Sequence, residues 1–321
     1  MRLRANGGWA LACAALTLSS GTARADEGGV SFWLPGQMGS FSAAPSAPGP
    51  SLPIVYYHTS ADAGGSKSFV VGGNLVAGID ANADLVFFVP TYTFTTPVWG
   101  AQAALGVGWA AGRMRTSVDA VLTGQGGNSI SRSVSDTVSG GSDLYPTGSL
   151  KWQNGNDNWM LYGMGGVPTG AYQVGRLANL GLNHWSIDGG GGYTYLDPKR
   201  GHEFSVVAGI TYNFENDDTH YRNGIDSHLD WALAQFLNEQ AFVGINGYVY
   251  YQLTGDSGSG AVLGPNKSRV FSVGPQAGYF FPSGGGKGYL NLRGYWEFGA
   301  ENRAEGWNVF LTLALPLDVP K

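Results

Sequence analysis

The sequence predicts an all-β fold, a transmembrane antiparallel β-barrel of about 12 strands with short periplasmic turns and longer outer loops. The first observation is the stretch His202–Phe214, whose even-numbered residues are almost wholly apolar and whose odd-numbered residues are mostly polar or small. A two-residue period belongs to a β-strand with different environments on its two faces. Strands of soluble proteins usually end after about 5–6 residues, whereas one crossing a bilayer needs about 9–11. This stretch is long enough to cross.

Eleven further stretches show strand patterns. In chain order they are Leu52–Thr59, Asp84–Thr95, Ala101–Arg113 (with a continuation to Leu122 left open), Asp143–Gln153, Asn158–Val167, Trp185–Leu196, Asp226–Phe236, Ala241–Leu253, Ser268–Phe281, Gly288–Phe298 and Trp307–Leu315. The weakest of these predictions is Asp226–Phe236, because Trp231–Glu239 would also tolerate a helix.

The second observation is that the connecting segments alternate in length. The short ones are rich in turn residues and lie at Thr96–Gly100, Asn154–Asp157, Asp197–Gly201, Asn238–Gln240 and Ser283–Lys287. The long ones lie at Ser60–Ala83, Thr123–Ser142, Pro168–His184, Glu215–Ile225 and Thr254–Lys267. This alternation is typical of outer-membrane barrels, and an even strand number places both termini on the short-turn side.

The third observation is the composition. Charged residues make up 13% of the chain, about half the usual share of roughly 25%. The 52 glycines are about double the expected frequency of roughly 7%, which suits tight turns and closely packed strands. Beyond the N-terminus no apolar run approaches the roughly 18 residues of a membrane-spanning helix. The chain can therefore cross a membrane only as a closed barrel.

Residues 1–25 have the features of a cleaved secretory signal, with Arg2 and Arg4, an apolar stretch at Trp9–Leu18 and a cleavage pattern at Ala23–Ala25. The single cysteine, Cys13, lies in this segment, so the mature chain would have no disulfide or thiolate site. Its removal takes away three arginines and no acid, which leaves 15 basic residues against 23 acidic ones and a net charge of −8. This charge argues against nucleic-acid binding.

The mature chain divides into an N-terminal segment, residues 26–50, and a barrel, residues 51–321. The N-terminal segment has no strand period, yet it carries apolar residues that would be unusual in contact with water. These are Phe32, Trp33, Leu34 and Phe41. Two interpretations stay open: a plug folded back into the lumen, and a disordered periplasmic leader.

Tryptophans lie at the predicted strand ends. Trp99, Trp152 and Trp159 flank short turns, and the opposite strand ends carry Trp185, Trp296 and Trp307. Two aromatic rings at the membrane interfaces explain this placement better than a soluble core does.

The predicted inward faces carry mixed charge. The residues are Lys151, Asp188, Glu203, Asp226, His228, Asp230, Arg293 and Glu297. A structural network or a hydrated lining is the favoured interpretation. A hydrolase is the alternative, because His228 shares a strand face with Asp226 and Asp230 at about 6–7 Å, and a carboxylate–imidazole pair can activate water or a serine. No nucleophile motif stands near.

Part of the lumen is predicted to be aromatic, which suits an apolar or aromatic solute better than an ion or a sugar. The candidate path residues are Phe88, Tyr92, Tyr248 and Tyr250. Packing against a plug would need the same residues, so that interpretation also stays open.

Three prolines, Pro90, Pro146 and Pro275, fall within predicted strands. Each removes a ladder hydrogen bond or forces a bulge. We hypothesise that one of them marks a lateral gap through which a hydrophobic solute leaves the barrel. No phosphate, dinucleotide, zinc or calcium motif is present, so no cofactor or metal is expected.

Several long stretches carry a resemblance to a known family. They are Ser31–Ala43, Tyr56–Lys67, Gly72–Phe94, Ser142–Trp152, Arg176–Phe214, Tyr221–Trp231, Gln252–Val270, Tyr295–Phe298 and Glu305–Phe310. In these stretches the chain resembles the phenol meta-pathway degradation proteins, a family of predicted outer-membrane transporters. The resemblance implies a bacterial outer-membrane barrel linked to uptake of aromatic or other hydrophobic compounds, and it implies no catalytic residues.

The sequence therefore predicts a channel that sits in outer-membrane lipid and passively admits hydrophobic, aromatic small molecules. Two alternatives are the hydrolase described above and a general porin. The sequence does not indicate the oligomeric state or the substrate.

Overall fold

The structure is a computed structural model that describes residues 31–123, 129–284 and 286–317. The expected signal segment, residues 1–25, and residues 26–30 of the N-terminal segment lie outside these ranges. In the described part of the chain, no helix is long and apolar enough to cross a membrane.

The described residues form fourteen strands in one antiparallel sheet. They are β1 (Gly49–Val71), β2 (Asn74–Phe88), β3 (Thr91–Thr93), β4 (Gln102–Thr123), β5 (Ser129–Gly141), β6 (Tyr145–Asn154), β7 (Asp157–Gly166), β8 (Ser186–Asp197), β9 (His202–Asn213), β10 (Asp226–Phe236), β11 (Ala241–Gln252), β12 (Arg269–Ser283), β13 (Gly286–Glu301) and β14 (Glu305–Pro316). The predicted strand at Asp226–Phe236 is thus confirmed as β10, and no helix replaces it.

The sheet closes into a barrel because β14 pairs with β1, from Ser51↔Pro316 to Asp62↔Glu305. β3 continues β2 beyond a short break and pairs with the same two neighbours, β1 and β4. β5 pairs with β4 and lies off the main strand order. The wall of the barrel therefore has twelve strands, as predicted.

Burial alternates along the wall strands as the two-residue period predicts. In β9, Glu203 and Thr211 are buried, whereas Phe204 and Ile210 are exposed. The exposed face of the wall carries large apolar side chains, among them Leu105, Leu161, Ile187, Leu233, Ile245 and Leu292. A continuous apolar band of this kind is stable in contact with lipid, and it marks the outer surface of a membrane barrel.

Exposed tryptophans border this band at both ends of the strands. Trp99 and Trp159 lie beside the short turns, while Trp185, Trp296 and Trp307 lie at the opposite ends. This is the arrangement of two interfacial aromatic rings that membrane barrels show.

The prediction of an outer loop is wrong for two of the five long segments. Ser60–Ala83 continues β1 and β2, which meet at a tight turn of Gly72 and Gly73, both at positive φ. Thr123–Ser142 contains β5, although residues 124–128 lie outside the described ranges. These extensions project beyond the lipid-facing wall, so their sequence lacks the apolar alternation that marks a membrane-spanning strand. The three remaining long segments contain no strand longer than an isolated bridge.

Each strand proline coincides with a gap in the hydrogen-bond ladder. At Pro90 the strand path is broken between β2 and β3. Beside Pro146, the pairs between β6 and β7 stop after Thr147↔Met164 and resume at one bridge, Leu144↔Val167. Beside Pro275, the pairs jump from Val273↔Trp296 to Gln276↔Arg293. The register is the same on both sides of each gap, so hydrogen bonds are lost without a shift of the strands.

Candidate functional site

The N-terminal residues 31–48 run through the interior of the barrel. Phe32 contacts Tyr145 of β6, with ring centroids 5.9 Å apart. On another side of the barrel, Phe41 packs against four inward-facing rings of β10 to β13, which are Phe236, Phe242, Phe280 and Tyr289. The apolar residues that the sequence singled out in this segment therefore face the inner wall and not water.

Two charged residues of the wall hold the backbone of Gly36–Met38. The carboxylate of Asp230 accepts hydrogen bonds from the Gly36 amide at 2.9 Å and from the Met38 amide at 3.0 Å. From β13, Arg293 Nη1 donates to the Gly36 carbonyl at 2.8 Å, and Nη2 donates to the Gln37 carbonyl at 3.3 Å. Both Asp230 and Arg293 are buried. The carboxylate of Asp230 thus pairs with backbone amides of Gly36–Met38, and the guanidinium of Arg293 pairs with backbone carbonyls of the same stretch.

Two more charged residues hold the following part of the segment. Glu203 accepts hydrogen bonds from Ser40 Oγ at 2.8 Å and from the Phe41 amide at 2.9 Å. Lys151 Nζ donates to the Ala44 carbonyl at 3.0 Å. Charge-assisted hydrogen bonds are among the stronger polar contacts in proteins, so the segment is fastened along most of its length.

His228 lies at the centre of a buried cluster. Its Nε2 lies 3.0 Å from Asp188 Oδ2 and 3.3 Å from the Tyr162 hydroxyl. The indole of Trp33 stacks on the imidazole, with ring centroids 3.6 Å apart and an interplanar angle of 11°. The side chains of His228 and Asp188 are both fully buried. The imidazole is therefore covered by the N-terminal segment.

The other two acids that share a strand face with His228 bind elsewhere. Asp226 accepts a hydrogen bond from Asn213 Nδ2 at 2.8 Å, and Asp230 holds Gly36 and Met38. His228 instead contacts Asp188 of β8, two strands away along the wall. The sequence alternation placed Asp188 in the lumen but did not link it to His228. Glu297, the last of the eight predicted inward residues, accepts a hydrogen bond from the Tyr248 hydroxyl at 2.7 Å.

An apolar cavity of about 300 Å³ lies between the N-terminal segment, the wall and the outer loop 168–184. The segment contributes Phe32 and Leu34. The wall contributes Leu85 and Phe87 of β2 with Tyr57 of β1, and the outer side is closed by Phe69, Ile79, Leu177, Leu180 and Leu182. The lining is mostly apolar, and its polar residues include Glu297, Arg303 and Asn308 near one another and Gln37, Thr59, Asn82, Asn179 and His184 elsewhere.

Two of the four candidate path residues do not line this cavity. Phe88 pairs with Trp109 and Tyr92 pairs with Leu105, and both partners are exposed on the outer face. Directly paired residues point to the same side of a sheet, so Phe88 and Tyr92 face outward. The β2 residues on the inner face are their neighbours, such as Phe87. The error arises because this strand is apolar on both faces, so alternation alone could not assign its direction.

The other two candidates face inward. Tyr248 and Tyr250 are almost completely buried, and Tyr248 lines the cavity. Leu177, Arg303 and Asn308 also line it and were missed by sequence reasoning. Leu177 and Arg303 lie in connecting segments, which have no period to read, and Asn308 is one of many polar residues on inward faces.

The geometry defines a class of protein: a closed antiparallel barrel with a lipid-facing outer surface, an interior crossed by its own N-terminal segment and a mostly apolar cavity. This is the fold of an outer-membrane channel, and it places the protein in the bacterial outer membrane.

Comparison with known proteins identifies the family. Residues 64–313 match the model of the family described as "Putative MetA-pathway of phenol degradation". Because the match covers most of the chain, the protein belongs to this family, and the resemblance found from the sequence is confirmed. No curated protein matches the chain.

A solved structure supports the fold, and a second one is more distantly similar. The COG4313 outer membrane channel from Pseudomonas putida F1 is similar with a TM-score of 0.67 and 16% identity, over 88% of this chain and 99% of that one. A Pseudomonas aeruginosa FadL homologue is similar with a TM-score of 0.40 and 10% identity, over 83% of this chain and 89% of that one. At 16% identity, the similarity to the Pseudomonas putida channel establishes shared architecture alone.

Proposed function

We propose that the protein is a channel for the passive uptake of hydrophobic, aromatic small molecules. The observation that carries this proposal is the apolar cavity of about 300 Å³. Sites for small hydrophobic ligands are concave, mostly apolar and furnished with few polar groups, and they span about 300–1,000 Å³. A cavity at the lower end of this range suits a compound with a single ring better than one with a long chain.

The family supports the same substrate class. Its description names phenol degradation, and the similar structure from Pseudomonas putida is titled an outer membrane channel. A channel in such a pathway would admit the aromatic compound and leave ring cleavage to other proteins. The absence of a recognisable nucleophile motif in the sequence agrees with this role.

In this proposal the N-terminal segment acts as a plug. It fills the interior and is fastened by Asp230, Arg293 and Glu203, so a solute in the cavity has no straight path to the periplasm. Val89 and Tyr145 line the cavity, and each is next in sequence to a proline that interrupts the ladder, Pro90 and Pro146. The proposed exit is lateral, through this part of the wall. Pro275 has no cavity-lining neighbour in sequence and is not part of this exit.

Filling the cavity tests the proposal. Ala83 is buried and lines the cavity, so Ala83→Phe should lower the uptake of radiolabelled ethylbenzene by intact cells towards that of cells without the protein. Val86→Phe is the matched control, because Val86 pairs with the outward-facing Tyr56 of the same wall and its added bulk enters lipid. If Ala83→Phe forms a heat-modifiable barrel and takes up ethylbenzene as the wild type does, the proposal fails.

The two rival functions make different predictions. A hydrolase would lose ester hydrolysis in detergent on His228→Ala while uptake stays unchanged; the stacking of Trp33 on His228 favours a structural role instead. A general porin would conduct ions steadily in a planar bilayer. A barrel plugged by residues 31–48 should conduct little.

A further inference from the structure

The cavity contains a buried hydrogen-bond acceptor that the protein itself does not satisfy. Asn308 of β14 is only 3% exposed and lines the cavity. Among the described residues, none donates a hydrogen bond to its Oδ1 atom. Buried polar groups are nearly always paired, so a lone acceptor facing a cavity points to a donor brought by a bound molecule.

The orientation of the Asn308 amide follows from its neighbours. Asn308 Nδ2 lies 2.8 Å from the Tyr248 hydroxyl oxygen, and that hydroxyl donates its single proton to Glu297 Oε1 at 2.7 Å. The second carboxylate oxygen of Glu297 accepts from the Gly306 amide at 2.9 Å. Because Tyr248 has no second proton, it can only accept from Asn308. The amide nitrogen must therefore face Tyr248, and the oxygen remains as the acceptor.

A second polar atom in the cavity has the complementary character. Gln37 of the N-terminal segment lines the cavity, and its buried Nε2 has no hydrogen-bond partner among the described residues. Its backbone carbonyl is held by Arg293, which fixes its position in the barrel. The cavity thus offers an acceptor at Asn308 and a donor at Gln37 on a lining that is mostly apolar. A ligand hydroxyl can donate to an acceptor such as Asn308 Oδ1 or accept from a donor such as Gln37 Nε2.

We infer that Asn308 selects ligands that carry a neutral hydroxyl group on an aromatic ring, with the hydroxyl donating to Oδ1 and the ring packed against Leu85 and Phe87. This inference rests on the proposed function of the cavity. A carboxylate has no proton to donate to Asn308. It would also be repelled by the carboxylate of Glu297, which is linked to Asn308 through the Tyr248 hydroxyl. Arg303 also lines the cavity, with its Cζ 4.8 Å from the centroid of the Tyr250 ring, so a carboxylate is the competing ligand in the test.

Paired ligands test the inference. The dissociation constants of 4-ethylphenol, ethylbenzene and 4-ethylbenzoate are measured in detergent for the wild type and Asn308→Leu. The ratio of the dissociation constant of ethylbenzene to that of 4-ethylphenol is compared between the two proteins, because the partitioning of each ligand into micelles then cancels. The wild-type preference for 4-ethylphenol should fall by about 2- to 12-fold in Asn308→Leu, the factor that one net hydrogen bond supplies. Asn291→Leu makes the same change at a buried inward position of β13 that does not line the cavity, and it should keep the wild-type ratio.

Gln37→Met provides a second variant that leaves the barrel wall intact, and it should lower the same ratio. An unchanged ratio in both Asn308→Leu and Gln37→Met would overturn the inference, since water would then satisfy both groups. A wild-type preference for 4-ethylbenzoate over 4-ethylphenol would also overturn it. If none of the three compounds binds the wild type, the proposed function itself is refuted. Equal binding of 4-ethylphenol and ethylbenzene refutes only the role of Asn308.

Discussion

Asp230→Asn should release the N-terminal segment from the barrel. The carboxylate now accepts two backbone hydrogen bonds, from Gly36 at 2.9 Å and from Met38 at 3.0 Å. Asparagine has almost the same shape but offers one acceptor and one donor. The oxygen can keep the Gly36 amide, and the new NH₂ group then faces the Met38 N–H. The substitution therefore replaces one hydrogen bond by two opposed donors and removes the charge that strengthens the other.

The magnitude follows from these two contacts. A hydrogen bond to a charged group contributes about 1.5–3 kcal/mol and a neutral one about 0.5–1.5 kcal/mol, so the retained bond to Gly36 weakens by about 1 kcal/mol. The unpaired Met38 amide costs about 1–3 kcal/mol. Attachment of the segment should weaken by about 2–4 kcal/mol, a change of about 30- to 700-fold in the population with the segment detached.

Thiol labelling measures this population. The Ala43 side chain is completely buried against Met160 and Val207, and Ala43→Cys would carry the only thiol of the mature chain if the signal segment with Cys13 is removed. A maleimide reagent can reach this thiol only when the segment detaches, so the labelling rate follows the detached population when reattachment is fast. The rate should rise by about 30- to 700-fold when Asp230→Asn is added.

Asp143→Asn is the matched control. Asp143 is another buried aspartate that accepts several backbone hydrogen bonds, but its donors are Thr169, Gly170 and Leu182 of the outer loop. Its substitution should leave labelling of Ala43→Cys unchanged. The reasoning is refuted if Asp230→Asn raises the rate less than about 30-fold, the lower bound derived above, or if Asp143→Asn raises it equally. Heat-modifiable mobility in gels shows that the barrel itself has formed.

Two further predictions concern the exit and the outer loop. Pro90→Val and Pro146→Val restore a backbone donor beside the cavity and should lower ethylbenzene uptake by intact cells, whereas Pro275→Val should not; wild-type uptake in all three contradicts a lateral exit. Arg176 fastens loop 168–184 by donating to both carboxylate oxygens of Asp136 at 3.0 and 2.8 Å, and these hydrogen bonds lower the pKa of Asp136 from 3.8 to about 2. Because the pKa is lower in the folded state, this stabilisation is complete above about pH 4 and is lost as the pH falls towards 2. Pepsin cleavage of the loop at pH 4 should be about fivefold slower in the wild type than in Asp136→Asn, as expected for a partly exposed ion pair worth about 1 kcal/mol. The two proteins should converge near pH 2, and equal rates at pH 4 would exclude the ion pair as a fastening.

The wall of the barrel could be predicted from the sequence because contact with lipid restricts which residues can face outward. Every outward position of a spanning strand must be apolar, so His202–Phe214 shows its two faces directly. The same requirement is absent where the sheet extends beyond the lipid. The residues of β5 and of the β1–β2 hairpin are rich in serine and glycine for that reason, and their pattern did not distinguish strand from loop.

The contacts of the interior could not be predicted because they depend on the register between strands and on positions where a glycine leaves space for neighbouring side chains. His228 meets Tyr162 of β7 above Gly209 of the intervening wall. A Cβ atom at Gly209 would lie 2.1 Å from the Tyr162 hydroxyl and 2.8 Å from the His228 ring. The glycine leaves the space in which the histidine reaches Tyr162. Sequence spacing instead suggested Asp226 and Asp230 as its partners, since they lie on the same strand face.

The charged lumen and the apolar cavity have a common explanation in the N-terminal segment. Most of residues 31–48 form no strand, so the ladder of the wall does not satisfy their backbone amides and carbonyls, and a buried backbone group without a partner is strongly unfavourable. Asp230, Arg293, Glu203 and Lys151 each bind backbone groups of this segment. Inward charges therefore do not by themselves indicate a polar solute, since these four bind the N-terminal segment. If this segment acts as the proposed plug, a solute meets the part of the interior that the segment leaves open, and the cavity there has a mostly apolar lining.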